Sequence, residues 1–234
     1  MTSWLDTIYN EDMLTGLARV PDGSVDLVMM DPPYEMGSEG GGAFGSAKRS
    51  YHGEIAPLTD GVTEEMLDAI MRKMRSVNIY IWCNKAQIWQ YMEYFHRKHP
   101  EASMDILTWH KTNPTPTCNN KYLSDTEYVL FFRGKGVKLH GTYATKAKYR
   151  VTSVNTADKK AYGHPTVKPL AFVRDMIGNS AVAADGHVPV VLDPFMGSGT
   201  TAVAAVQLGL HYVGFELDRG YWENAQRRIA EARA

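Results

Sequence analysis

The chain has 234 residues, a length that suits one large domain or two small ones. Apolar residues make up 44% and charged residues 22%, as in an ordinary globular protein. The formal net charge of −1 argues against a wholly basic nucleic-acid coat protein, although it permits a basic surface on one face.

Cysteine content and hydropathy exclude several further classes. Cys83 and Cys118 are too few for a disulfide framework or a four-cysteine zinc site, and we expect no metal. Met1–Asn10 lacks the basic start and the apolar run of a signal peptide. No stretch approaches the ~18 consecutive apolar residues that a membrane span needs. We therefore expect a soluble cytoplasmic protein that contacts no membrane.

Strand and helix patterns alternate along the chain. Predicted strands are Val25–Met30, Val77–Cys83, Met104–Trp109, Thr126–Phe132, Val188–Leu192 and His211–Phe215. Predicted helices are Thr63–Arg75, Lys85–Lys98, Leu170–Ile177, Ala202–Leu208 and Tyr221–Arg233. Gly134–Gly163 has no clear period. Such alternation predicts an α/β fold with a mainly parallel sheet.

The first chemically informative unit is a strand, a glycine turn and a helix near the C-terminus. Gly197 and Gly199 allow the backbone to approach a ligand at the carboxyl end of a strand. Glu216, 17 residues after Gly199, ends the next predicted strand, where an acidic residue typically accepts hydrogen bonds from ribose hydroxyls. A P-loop would need lysine in place of Thr200, and a dinucleotide fingerprint would need glycine in place of Ala202. The unit predicts a nucleoside-type cofactor, with a purely structural turn as the alternative.

A second informative turn, Asp31-Pro32-Pro33-Tyr34, follows a predicted buried strand. The Asp31 carboxylate can accept a hydrogen bond from an exocyclic amino group, and the Pro32 carbonyl offers a second acceptor. The prolines lock the turn in advance. Tyr34 offers a flat face for a base pulled out of its stack. An ordinary turn after a strand is the alternative, since Asp-Pro is common in turns.

These motifs resemble those of the S-adenosylmethionine-dependent amino-methyltransferases of DNA. Asp31-Pro32-Pro33-Tyr34 matches the catalytic motif of that family, Asp193–Gly199 matches its cofactor motif, and His164–Pro169 looks like a third motif. The catalytic motif comes first, which is the circularly permuted order of the β class. The resemblance implies a single methyltransferase domain over 1–234 with a Rossmann-like fold. It implies one mainly parallel sheet with an antiparallel strand and helices on both faces.

The resemblance assigns a role to each matching residue. Asp31 and Pro32 would hold the target amino group in the turn that Pro33 helps to lock, and Tyr34 would stack on the flipped base. The implied S-adenosylmethionine site comprises Asp12, Thr166, Lys168, Asp193, Phe195, Gly197, Ser198, Gly199, Thr200 and Glu216.

Three roles within that cofactor site are more specific. Glu216 would bind the ribose hydroxyls, Asp12 would lie near the adenine, and Thr166 and Lys168 would approach the amino-acid end. The residues alone leave two alternatives open: Asp12 as a helix N-cap and Lys168 as a solvated cation.

Charge is unevenly distributed, which bears on the partner. Arg133–Arg174 has ten basic residues and one acidic residue, a net charge of +9, with three interleaved tyrosines. This pattern is typical of a phosphate-contacting surface, although a solvated loop is the alternative. The predicted nucleic-acid contacts are Lys48, Arg49, Arg133, Lys135, Lys146, Lys148 and Arg150. We expect the glycine-rich loop 36–58 to be mobile and to close over the flipped base.

The resemblance connects Asp-Pro-Pro-Tyr mostly with the N6 of adenine, and Ser-Pro-Pro-Tyr mostly with the N4 of cytosine. We therefore predict site-specific adenine-N6 methylation of DNA, of the kind found in restriction-modification. Segment 133–163, the expected target-recognition segment, is short for that task. We expect a homodimer, as in many β-class enzymes. The alternatives are cytosine-N4 methylation, methylation of RNA or of a protein glutamine amide, and a non-catalytic binding subunit.

Overall fold

The computed structural model describes residues 4–32, 61–114, 116, 120, 122–154, 167–183 and 185–234. Its strands are β1 (Thr7–Tyr9), β2 (Leu27–Met30), β3 (Asn78–Cys83), β4 (Ser103–Lys111), β5 (Thr126–Arg133), β6 (Tyr149–Thr152), β7 (Val190–Asp193) and β8 (His211–Phe215). Its helices are α1 (Met13–Gly16), α2 (Glu64–Lys73), α3 (Ile88–Lys98), α4 (Leu170–Ser180), α5 (Thr200–Gln207) and α6 (Arg219–Arg233), with a 3₁₀ turn at Leu17–Arg19.

The eight strands form one sheet in the order β1-β8-β7-β2-β3-β5-β4-β6. Strand β5 runs antiparallel to both of its neighbours, and the other pairs are parallel. This confirms the predicted Rossmann-like architecture, because the sheet is mainly parallel with an antiparallel strand.

Helices cover both faces of the sheet, as predicted. Alternate residues of β3 point to opposite sides: Ile79 and Ile81 pack in the core under α2 and α3, while Tyr80 and Trp82 pack in the core under α4, α5 and α6. Strands β2, β3 and β7 are buried along their whole length, as central strands of a doubly covered sheet must be.

The predicted elements are present, with boundaries that move by a few residues. Helix α2 begins at Glu64 because the side chain of Thr63 accepts a hydrogen bond from the Met66 N–H and caps the first turn. Gly134–Gly163, which has no clear period in the sequence, contains a strand at Tyr149–Thr152 that pairs with the end of β4. Strand β1 is missing from the predicted elements, and helix α1 is implied only by the alternative that Asp12 is a helix N-cap. Loop 36–58 lies outside the described residues.

Candidate active site

The order of the strands creates a gap at the carboxyl edge of the sheet. From β2 the chain proceeds to β3 on one side, and from β7 it proceeds to β8 on the other. Adjacent strands whose connections diverge leave a crevice at their carboxyl ends, where open α/β sheets bind ligands. Asp31 directly follows β2 and Asp193 ends β7, so the two predicted motifs meet at this crevice.

A cleft of about 330 Å³ occupies this position. Of the predicted catalytic residues, Asp31 and Pro32 line it, whereas Pro33 and Tyr34 lie outside the described residues. The predicted cofactor residues that line it are Asp12, Lys168, Asp193, Phe195, Gly197, Ser198, Thr200 and Glu216. Thr166 lies outside the described residues. Sequence reasoning missed other lining residues, including Glu11, Met29, Trp82, Val173, Asp218 and Tyr221.

The carboxylate of Glu216 connects the glycine turn to the end of β8. Its Oε2 accepts a hydrogen bond from the Gly197 N–H at 2.7 Å, and its Oε1 accepts one from the Asp218 N–H at 2.8 Å. Burial raises the pKa of Glu216 although these N–H groups favour the ionised form. Glu216 therefore presents a fixed acceptor to the cleft.

Asp193 is buried, with 4% of its surface exposed. Its Oδ1 accepts a hydrogen bond from the Phe195 N–H at 3.0 Å, so the side chain organises the turn that follows β7. Burial raises the pKa of Asp193 to about 7, and the nearby charges of Asp31 and Glu216 act in the same direction.

Gly199 contributes to the site through packing. It does not line the cleft, and its φ of +83° lies in the left-handed region that favours glycine. A Cβ at this position would lie 2.8 Å from the Cβ of Ala225 in α6. The glycine therefore permits close contact between the start of α5 and α6.

Asp12 combines two of the interpretations given above. Its Oδ1 accepts hydrogen bonds from the N–H groups of Leu14 at 2.9 Å and Thr15 at 3.4 Å, which makes it the N-cap of α1. The residue also lines the cleft. Its predicted position near the adenine of S-adenosylmethionine is therefore compatible with its role as the N-cap of α1.

Lys168 is not a solvated cation, so that alternative is wrong. Its side chain is 5% exposed, and its Nζ lies 3.0 Å from Oδ2 of Asp31 and 2.9 Å from Oε2 of Glu127. Lys111 Nζ lies 2.5 Å from the other oxygen of Glu127. Burial by itself would raise the pKa of Glu127, but the ammonium groups of Lys168 and Lys111 together hold it below its usual range.

Comparison with known families identifies the chain. The family model described as DNA methylase, for N6 and N4 methyltransferases, matches residues 25–227. The chain belongs to the N6/N4 DNA methylase family. It is a DNA methyltransferase that uses S-adenosylmethionine.

Curated relatives and solved structures agree with this assignment. The methyltransferase is 27% identical to the type II methyltransferase M2.MboI of Moraxella bovis, over 96% of this chain and 87% of that protein. It is 26% identical to M.HinfI of Haemophilus influenzae, over 99% of this chain and 70% of that protein. The M1.HpyAVI–SAM complex shares the fold, with a TM-score of 0.71 at 22% identity over 95% of this chain and 98% of that one. So does the cytosine-N4-specific PvuII DNA methyltransferase, with a TM-score of 0.69 at 17% identity over 95% and 86%.

The lining of the methyltransferase cleft suits S-adenosylmethionine chemically. Six acidic side chains and one lysine are among the lining residues: Glu11, Asp12, Asp31, Asp193, Glu216, Asp218 and Lys168. An acidic cleft favours a ligand with a cationic sulfonium and hydroxyl donors, and it disfavours the phosphates of a dinucleotide. The apolar rings of Phe195 and Phe215 supply surface for a nucleobase.

Two of the predicted nucleic-acid residues lie far from Asp31 in the sheet. Strand β5 is antiparallel to β3, so Arg133 at its end pairs with Asn78 at the start of β3. Arg133 and the nearby Lys135 therefore lie at the sheet edge opposite Asp31. The direction of β5 therefore separates these two residues from Asp31, and the nucleic-acid contact expected of them stays a prediction.

Two other cations of the basic stretch have partners within the chain. Lys148 pairs with Asp105 of β4. The Arg150 guanidinium lies 2.8 Å from Asp175 of α4 and donates to several backbone carbonyls, so it fastens β6 to the molecule. Lys48 and Arg49 lie outside the described residues.

In the described part of the chain, no group of three or more His, Cys, Asp or Glu residues could hold a metal ion. Among the same residues, no helix has the length and apolar character needed to cross a membrane.

Proposed function

We propose that the chain transfers a methyl group to the exocyclic N6 of an adenine that is turned out of its DNA duplex. One observation carries the proposal: the Asp31 carboxylate lies in the cleft at the switch point between β2 and β7. The resemblance described above connects aspartate at this motif position mostly with adenine. The adjacent Pro32 lines the same cleft and supplies a rigid backbone.

The proposed chemistry depends on two hydrogen-bond acceptors. An aromatic amine is a poor nucleophile because its lone pair is delocalised into the ring. Asp31 and the Pro32 carbonyl would accept hydrogen bonds from the amino group and favour a pyramidal nitrogen, so they would act chiefly in the transition state. S-adenosylmethionine supplies an electrophilic methyl group. Tyr34 would stack on the flipped base.

Other residues would hold the cofactor. Glu216 would accept hydrogen bonds from the ribose hydroxyls, and Asp12 would lie near the adenine. The backbone around Gly197, kept in place by its bond to Glu216, would border the cofactor. These roles agree with the shared cleft in which all three residues lie.

The DNA-contacting surface is proposed at the side of the sheet that ends in β6. Tyr149 and Val151 of β6 are exposed, as are Tyr143 and Lys146 before it. Together with Lys48 and Arg49, they would contact phosphates and flanking bases. Because segment 133–163 is short, a homodimer would extend the recognised sequence.

The decisive test is transfer of a tritiated methyl group to DNA, followed by nucleoside digestion and mass analysis. We expect N6-methyladenine, and we expect Asp31→Ala to lose at least about 100-fold in rate, as on loss of an aligned hydrogen-bond group in other enzymes. Glu93→Gln is the control, because Glu93 makes a surface ion pair with Arg97 on α3. Exclusive N4-methylcytosine, labelled RNA, a labelled glutamine peptide or full activity of Asp31→Ala would each refute the proposal.

A further inference from the structure

We propose that Glu127 and Lys111 are positioning residues that act through Lys168 on the carboxylate of Asp31. The inference rests on the proposed function, since it assigns a task to the residues around the proposed catalytic group. None of the three belongs to the catalytic turn: Lys111 ends β4, Glu127 is the second residue of β5 and Lys168 precedes α4.

The contacts form a continuous chain of alternating charge. Lys111 contacts Oε1 of Glu127 at 2.5 Å, Lys168 contacts Oε2 of Glu127 at 2.9 Å, and Lys168 contacts Oδ2 of Asp31 at 3.0 Å. The Lys168 ammonium also lies 4.9 Å from the centroid of the Trp82 ring. Glu127 therefore uses one oxygen for each lysine, and the single Nζ of Lys168 is held between the carboxylates of Glu127 and Asp31.

Strand direction explains why Glu127 reaches this position. Strand β5 runs against its neighbours, so its first residues lie at the carboxyl edge of the parallel strands, where Tyr128 pairs with Cys83 at the end of β3. Trp109 of β4 pairs with Glu127, which brings Lys111 to the same edge. The antiparallel strand thus places a carboxylate next to Lys168, on the side of β2 away from the cofactor motif.

The charges compensate one another in a buried setting. The side chains of Lys168 and Glu127 are 5% and 13% exposed, so removal of either charge leaves its partner poorly solvated. The four linked side chains are two lysines and two carboxylates, so their formal charges sum to zero. Among the described residues, two more titratable groups lie near these charges: the Cys83 thiol, which burial keeps neutral by raising its pKa to about 12, and Asp193.

The sign of each charge gives a readout that a merely structural role would not produce. Replacement of Lys168 or Lys111 by methionine removes a positive charge and should raise the pKa of Asp31. Replacement of Glu127 by glutamine removes a negative charge and should lower it. If the pKa of Asp31 rises in the lysine variants and falls in Glu127→Gln, the charges of these residues, and not a loss of packing, change the Asp31 carboxylate.

Titration by NMR of the ¹³C-labelled aspartate carboxyl groups measures this directly, with the Asp31 resonance assigned by its loss in Asp31→Asn. We expect opposite shifts for Lys111→Met and Glu127→Gln, and no shift for the surface control Glu93→Gln. In single-turnover methyl transfer, Glu127→Gln should be roughly 10–100-fold slower, the size expected when a reacting group is misplaced. Its affinity for S-adenosylmethionine, measured by calorimetry, should stay within twofold.

The outcomes separate the two proposals. An active wild-type enzyme with an unchanged Asp31 titration in Glu127→Gln would overturn the positioning role alone. A parallel loss of S-adenosylmethionine affinity and rate would also overturn it, because the chain of charges would then serve the cofactor. A wild-type enzyme that methylates no DNA adenine would refute the proposed function, whatever the titration shows.

Discussion

Glu216 offers the sharpest test of the cofactor site at the scale of one residue. Both of its oxygens are fixed by backbone N–H groups, from Gly197 at 2.7 Å and from Asp218 at 2.8 Å. In Glu216→Gln, the amide nitrogen would face one of these donors and the charge would be lost. Since a hydrogen bond to a charged group contributes about 1.5–3 kcal/mol, we expect about 10–100-fold weaker binding of S-adenosylmethionine by calorimetry.

The matched control for that variant is Glu223→Gln, which removes a carboxylate from an exposed pair with Arg219 on α6. It should bind the cofactor as the wild type does. Equal affinity of Glu216→Gln and Glu223→Gln would contradict the ribose role of Glu216.

Cleft residues could be predicted from the sequence where they directly follow a predicted strand. Asp31 and Glu216 each follow an apolar strand, and parallel strands bring such positions to one edge. Glu127 could not be found in this way, because its contact with Lys168 spans 41 positions and depends on the direction of β5. Cross-strand partners of that kind require the sheet order, which the sequence pattern does not specify.

At the scale of elements, the two glycines that flank α5 provide a matched pair. Gly199 and Gly209 both have positive φ, +83° and +68°. A Cβ on Gly199 would lie 2.8 Å from Ala225, whereas a Cβ on Gly209 meets nothing within 4 Å. Gly209→Ala should therefore cost only the backbone strain of about 1–2 kcal/mol. Gly199→Ala should cost a further overpacking term of about 1–3 kcal/mol.

Thermal unfolding of both variants measures the difference. At this chain length about 1 kcal/mol corresponds to roughly 2–4 °C in Tm, so Gly199→Ala should melt several degrees below Gly209→Ala. Equal Tm values would show that α6 can move away from α5, and the packing argument would then fail.

The elements that sequence reasoning missed are those with weak periodic patterns. Strand β1 has only three residues, and β6 is mostly exposed, so neither shows the apolar run of a buried strand. Strand β6 is held instead by pairing with β4 and by the Arg150–Asp175 ion pair. Central strands such as β3, buried at every position, were predictable from composition alone.

At the scale of the whole molecule, the net charge of −1 conceals an uneven distribution of charge over the sheet. The carboxyl edge holds the acidic cleft, which suits a cationic cofactor. The basic stretch is distributed, because Arg133 lies at the amino edge while Lys168 is buried beside Asp31. The excess of +9 in Arg133–Arg174 is therefore not gathered at one edge of the sheet.

The amino edge contains a contact that joins two distant parts of the chain and should make stability depend on pH. The Nε2 of His187, which precedes β7, lies 2.9 Å from Oδ2 of Asp26, which precedes β2, and its Nδ1 contacts Asp185. Hydrogen bonds to Asp26 and Asp185 raise the pKa of His187 above 6.5. A raised histidine pKa contributes stability that is complete below about pH 6.5 and is lost as pH rises through the folded-state pKa.

We therefore expect His187→Gln to lower the Tm at pH 6 and to have less effect at pH 9, measured by calorimetric scans across that range. The difference between wild type and variant isolates this residue from other groups that titrate in the same range. His96→Gln, on the exposed side of α3, is the control and should follow the wild-type curve. An equal loss of Tm for His187→Gln at both pH values would mean that the ring stabilises the β2–β7 junction by packing, and the charge argument would be wrong.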